Sequence, residues 1–178
     1  MRHQKFDIEK FKKKADKLKQ KHWDLRCLIK GSRLKKDDID EAVKKAFMEV
    51  SEKLDCTECA NCCNEISPVL KSSDIKRICY KLKMDEHAFR SSFLEVLDSE
   101  NLVFKSRPCF FLKDKKCTIY DFRPADCRSY PHLHKKNFRG RVTNAFANLE
   151  ICPVMLNVFE TLSDILGPKL EPKDYTWL

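Results

Sequence analysis

Four cysteines fall within eight residues, Cys56, Cys59, Cys62 and Cys63, and no apolar periodicity runs through them. Core helices and strands bury side chains at periods near 3.6 or 2, so hydrophobic packing is not what places these thiols. A C-x2-C step lets two sulfurs reach one metal because the chain turns back within two residues. Thr57, Glu58, Ala60 and Asn61 are small or polar enough to permit that turn, and the two steps share Cys59. The run points to metal binding, with redox-active thiols as the neighbouring reading.

Ten cysteines in 178 residues suit either a disulfide framework or a metal site, and compartment decides between them. The first residues have a basic start but no apolar segment and no small-residue cleavage site, so they do not read as a secretory signal. No stretch approaches the length of apolar chain that spans a bilayer. The expectation is a cytoplasmic, reducing environment with no membrane contact. The net charge of +9 suits nucleic acid or an acidic partner. It weakens as an argument once eight cysteines are written as metal-bound thiolates, which lowers it to +1 before any metal is counted.

The expected division is a basic helical extension over 1–54, a cysteine-cluster metal-binding domain over 55–167 and a C-terminal tail over 168–178. The fold class is α+β, mainly α: a small helical domain with a short β-hairpin around a cysteine metal cluster, preceded by a helical hairpin. Asp7 caps the first helix, and Ile8, Phe11, Ala15, Leu18, His22, Leu25 and Ile29 form its apolar stripe. Gly31 ends it. A second helix starts at Asp37 or Asp38 with Ile39, Val43, Ala46, Phe47, Val50 and Leu54 inward. Ser72-Ser73-Asp74 and Asp85 precede two short helices, and Cys79 on the first of these reads as a small core residue. Leu102–Phe104 and Cys109–Tyr120 are rich in strand formers, and Pro124–Arg128 suggests a single helical turn. Arg141–Ala147 stays open. Pro153 opens the last helix at its first position and Gly167-Pro168 stops it.

Four more cysteines accompany the run: Cys109, Cys117, Cys127 and Cys152. In a regular hairpin with a two- or four-residue loop centred on Asp114 and Lys115, Leu112 pairs with Cys117. Cys109 and Cys117 then point to opposite faces. If both bind one centre, an irregular loop or bulge is expected. Arg107, Arg123 and Arg128 lie near these cysteines in sequence and are candidates to offset thiolate charge. His132 and His134 read as exposed residues on a strand edge. Asp114, Asp121 and Asp126 read as turn and capping residues. Cys27 lies off the apolar stripe and has no assigned role.

The Cys56–Cys63 run, Pro108-Cys109-Phe110-Phe111-Leu112, Cys117-Thr118-Ile119-Tyr120 and Arg123-Pro124-Ala125-Asp126-Cys127-Arg128-Ser129-Tyr130-Pro131 occur in one order. In these segments the chain resembles the YkgJ family of C-x2-C-x2-C-C proteins, described as zinc- or iron-chelating. The resemblance covers about residues 55–155. It implies that Cys56, Cys59, Cys62, Cys63, Cys109, Cys117, Cys127 and Cys152 act as metal ligands. Flagellin lysine methylases carry a similar cluster, although this chain is short for such an enzyme and has only three glycines, none in a nucleotide-binding loop.

Eight thiols suit two zinc sites of four cysteines each, or one four-iron cluster with spare ligands. Three close cysteines followed far along by Cys152-Pro153 echo the bacterial ferredoxin arrangement, which puts iron–sulfur slightly ahead of zinc. The expected function is a metal-binding protein whose centre is structural or redox-active, with an unknown protein partner. The alternatives are an iron–sulfur-dependent modifying enzyme, methylase-like, and a zinc-stabilised nucleic-acid-binding module using the lysine-rich helices. In cysteine-metal domains the binding free energy is folding free energy. Stripping metal should therefore lower the melting point and partly unfold residues 55–155; circular dichroism and a melt before and after chelation check this.

Overall fold

A computed structural model describes residues 7–54 and 59–170. The chain packs as two compact units, Met1–Cys56 with Pro131–Leu178, and Thr57–Tyr130. The first division, at 56/57, falls within two residues of the expected 54/55, but the chain returns to the first unit at Pro131, inside the expected domain over 55–167. The reason lies in the helices after residue 137, whose apolar faces are buried against the N-terminal helices. Residues 171–178 of the expected tail lie outside the described residues. The architecture is α+β and mainly α, as the sequence implied.

The first unit is a helical bundle of α1 (Ile8–Lys17), α2 (Lys19–Gly31), α3 (Lys36–Ser51), α8 (Phe138–Ala147) and α9 (Pro153–Leu166). Asp7 caps α1 by accepting from the backbone N–H groups of Glu9 and Lys10 at 3.1 and 3.0 Å. The expected single first helix is divided at Leu18, yet its stripe stays continuous: Phe11, Ala15, His22, Leu25 and Ile29 are all buried. Ile39, Val43, Ala46 and Val50 are the buried face of α3, which packs on α8 and α9. The segment left open at Arg141–Ala147 is helical because Phe138, Val142 and Ala145 share a buried face at helical spacing. Its start is capped from another helix. Asp40 of α3 accepts from the backbone N–H groups of Asn137 and Phe138 at 2.7 and 2.8 Å. Before it, His132 has a positive φ of 63° and His134 is exposed, so the two histidines occupy a turn instead of a strand edge. Arg141 holds this turn by donating to the carbonyls of His132, Lys135 and Lys136.

The second unit has its own core of Leu70, Ile75, Ile78, Cys79, Phe89, Leu94, Phe104, Phe111 and Ile119. Its elements in chain order are α4 (Asn61–Glu65), β1 (Val69–Leu70), α5 (Ser72–Leu82), α6 (Glu86–Phe93), β2 (Leu94–Val96), β3 (Leu102–Phe104), β4 (Leu112–Lys113), β5 (Lys116–Cys117) and α7 (Ala125–Ser129). One antiparallel sheet has the order β1-β3-β2, and β4 and β5 form a separate hairpin. Asp85 caps α6 as expected. At α5 the chain departs from expectation: Lys71 is the N-cap, and Asp74 is drawn into the interior.

His22 is fully buried in the bundle, packed edge-on to Phe159 at 5.7 Å, and neither ring nitrogen has a hydrogen-bond partner among the described residues. Burial lowers its pKa from 6.5; Glu160 opposes this, and Lys21 and Lys14 reinforce it. The folded state therefore favours neutral His22. Its contribution to stability is complete above the unfolded pKa and is lost as pH falls below about 6.5. His22→Leu should remove that acid loss between pH 6.5 and 5, and it should raise stability by about 1 kcal/mol by replacing unpaired nitrogens. Thermal melts of both proteins across this range check the prediction.

Candidate metal centre

Ala60 adopts the left-handed conformation, φ 54°, and turns the chain straight into the single helical turn α4. This places Cys62 and Cys63 on a short, tightly bonded segment. The Cys63 N–H donates to the Ala60 carbonyl at 3.1 Å, and the Ile66 N–H to the Cys62 carbonyl at 3.0 Å. The Cys63 carbonyl in turn accepts from the Cys109 N–H at 2.9 Å. That bond fastens the Cys109 segment to the first cysteine run across 46 residues of chain.

Leu112 pairs with Cys117 and Lys113 with Lys116, leaving a two-residue loop in which Asp114 and Lys115 both have positive φ. The loop is regular, so the irregular loop or bulge expected above is absent from the hairpin. The irregularity lies outside the ladder. The chain folds back at Cys109, whose carbonyl accepts from Leu112 N–H at 3.0 Å, and the strand pairing never reaches it. Pleat alternation therefore does not govern Cys109, and it shares the electrostatic surroundings of Cys117.

Those surroundings are a cluster of interacting thiols. The Cys62 thiol donates to Cys63 and lowers its pKa to about 7; burial opposes this and Arg123 assists it. A negative charge at Cys63 then acts on its neighbours. Burial is the largest cause at Cys109, pushed up to about 11, with Cys63 and Cys117 adding to the rise. Burial also leads at Cys127, pushed up to about 12, followed by Cys63, Cys109, Asp126 and Cys117. Cys117 is raised by burial and by Cys63. Two kinds of group oppose these rises. The backbone N–H groups of Phe111 and Leu112 favour the Cys109 thiolate, and that of Ile119 favours the Cys117 thiolate. Arg123 favours the thiolates of both Cys63 and Cys117. Its guanidinium lies 3.6 Å above the Tyr120 ring and donates to the Tyr120 carbonyl at 2.7 Å. Of the three candidate arginines, Arg123 is the one that acts on the thiols among the described residues. Arg107 donates to Ser67 Oγ at 3.2 Å, and Arg128 is exposed.

The structure thus brings Cys62, Cys63, Cys109, Cys117 and Cys127 into one set. Cys59 is half-buried one residue before the Ala60 turn, and Cys56 lies outside the described residues. Cys152 belongs to the helical bundle, where it is buried and its carbonyl accepts from Leu156 N–H at the start of α9. Among the described residues, no three His, Cys, Asp or Glu side chains are arranged to hold a metal ion by themselves. The donor chemistry does fit a thiophilic metal. Sulfurs supplied with backbone N–H groups and an arginine are what a thiolate site requires, and a cation would offset both the burial and the mutual repulsion that keep Cys109 and Cys127 protonated.

Asp74 and Arg77 are the residues that sequence reasoning missed. Asp74 is 1% exposed and accepts from Arg77 at 2.7 Å, the Ala125 N–H at 3.0 Å and the Lys71 N–H at 3.1 Å. Burial works against its ionisation, but Arg77 and the two amides outweigh it and hold the carboxyl below the usual range. Asp126 was expected to act locally; its Oδ2 instead accepts from Val69 N–H at 3.3 Å, 57 residues away. Only the unusual burial of an acid identifies Asp74, and sequence does not display burial.

A cysteine-rich chelating domain is the class these features suit, and the family comparison gives the same class. A family model described as "CxxCxxCC: Putative zinc- or iron-chelating domain" matches residues 55–152, and the chain belongs to that family. No curated protein and no solved structure matches the chain.

In metal-free, reduced protein, Cys63 should be alkylated with a half-maximal rate near pH 7, because its thiolate forms above that pH. Cys109 and Cys127 should stay slow at about pH 9, and Arg123→Gln should move the Cys63 midpoint upward. Peptide mapping of timed iodoacetamide reactions checks the order.

Proposed function

We propose that this protein holds a metal centre through its cysteines, an iron–sulfur cluster ahead of zinc, and that the centre serves a structural or electron-carrying role. The observation that carries the reading is the mutual field of Cys63, Cys109, Cys117 and Cys127, with amide donors on two of the sulfurs and Arg123 beside two. Cys56, Cys59, Cys62 and Cys152 complete the proposed ligand set. The metal supplies positive charge that lets thiolates coexist in a partly buried site. The protein's part is to deliver the sulfurs from separate segments and to donate hydrogen bonds to them. Disulfides are rare in reducing compartments. A thiol set that must stay reduced to bind metal therefore suits the cytoplasm, and no described helix is long and apolar enough to cross a membrane.

Protein purified without oxygen should be brown and contain iron and acid-labile sulfide. A colourless protein with about one or two zincs per chain would keep the chelating role and reassign the metal. Cys63→Ser and Cys127→Ser should each lower the bound metal, whereas Cys27→Ser, at a half-buried position in the bundle, should not. Wild-type protein with no metal, and none taken up on reconstitution, would overturn the reading.

A further inference from the structure

Cys127 sits on α7, a helix of five residues whose backbone cannot hold its own position. Its place in the second unit is set from outside. The N–H of Ala125, the first residue of α7, donates to Asp74 Oδ1 on α5. The same oxygen accepts from Arg77, and one Arg77 nitrogen, Nη2, also donates to the Arg123 carbonyl at 2.9 Å. Asp74's other oxygen accepts from Lys71 N–H. Asp126, next to Cys127, accepts from Val69 N–H on β1. Three bonds therefore secure the 123–127 segment to the α5 and β1 scaffold, and the Asp74–Arg77 pair supplies two of them.

The same segment carries both Cys127, one of the proposed ligands, and Arg123, whose guanidinium lies 3.6 Å above the Tyr120 ring and donates to the Tyr120 carbonyl. Asp74 touches no sulfur. Its partners are an arginine and two backbone amides. An acid buried to 1% exposure needs such partners. One of them, the Ala125 N–H, belongs to the strip of chain that carries Cys127 and Arg123, and Arg77 reaches that strip at the Arg123 carbonyl.

We infer that Asp74 and Arg77 are the positioning residues of the metal centre, a buried strut that fixes Cys127 and Arg123 relative to the other thiols and so sets metal affinity. The inference rests on the metal-chelating reading. A preformed position for one sulfur means that metal does not have to order the 123–127 segment on binding, and that ordering cost would otherwise appear as weaker affinity. Groups beyond the ligands that orient them are worth about ten- to a hundredfold in metal affinity.

The test uses the full chain, reduced and metal-free, titrated with zinc and with cobalt against a competing chelator. Arg77→Lys keeps a cation for Asp74, but its side chain is one bond shorter, so Nζ falls short of the place from which Nη2 serves Asp74 and the Arg123 carbonyl together. Asp74→Asn keeps a hydrogen-bond acceptor and loses the charge. Both should weaken binding about ten- to a hundredfold, with cobalt spectra showing fewer thiolate ligands than in wild type. Asp85→Ala is the control, since it removes an exposed cap on α6 and lowers the melting point without touching the 123–127 segment. If Asp74→Asn does not fold, Arg77→Lys still decides. Wild-type affinity and an unchanged cobalt spectrum in the variants would overturn the strut while leaving the metal reading intact. Equal weakening by Asp85→Ala would reduce the effect to general destabilisation and also overturn it. Absence of metal binding in wild type would overturn the metal reading itself, and the strut with it.

Discussion

Burying several thiols within reach of one another's charge is the constraint on which the second unit depends. A buried thiol resists ionisation, and each thiolate that forms makes the next less favourable. The unit answers unevenly. Cys63 ionises near neutrality with help from Cys62 and Arg123, while Cys109 and Cys127 are driven far up by burial and by Cys63. Cys79, embedded in the apolar core, is raised chiefly by burial, with the carboxylates of Glu86 and Asp85 adding to the rise and no other thiol among the causes.

Delivering those thiols takes backbone devices that break regular structure. Ala60 turns through the left-handed region, Asp114 and Lys115 make the tight hairpin loop, and the chain folds back at Cys109 before the hairpin begins. The hydrophobic core beneath, with Phe89, Phe104 and Phe111 in ring contact, gives these irregular segments a rigid base. The helical bundle is built differently, from long amphipathic helices joined by caps and by the trans-acting Asp40.

Much of this was legible in the residues themselves. Asp7 and Asp85 cap helices because a short acid before an apolar stripe accepts free amide protons wherever the helix sits. The Leu112–Cys117 register followed from the polar Lys113–Lys116 loop, and Pro153 opened the last helix as its missing N–H allows. What misled was the assumption that Cys109 lies on the ladder. Strand formers surround it, but the pairing begins only at Leu112, after the chain has turned. The expected domain over 55–167 was drawn from the cysteine pattern, which cannot register that α8 and α9 bury their faces on the N-terminal helices.

The sequence alone determined the chemistry and the local structure: eight thiols in a recognisable order, an α+β chain dominated by helices, and caps and turns that act over a few residues. Local signals are readable because a side chain and the amide it bonds lie within one turn. Only the tertiary structure decided which thiols interact, which arginine lies beside them, and that Asp74 is a buried strut. Those depend on bonds such as Asp74 to Ala125 and Cys109 to Cys63, whose partners are 51 and 46 residues apart along the chain. Proximity over such separations arises only when the core has closed, and no pattern in the intervening residues records it.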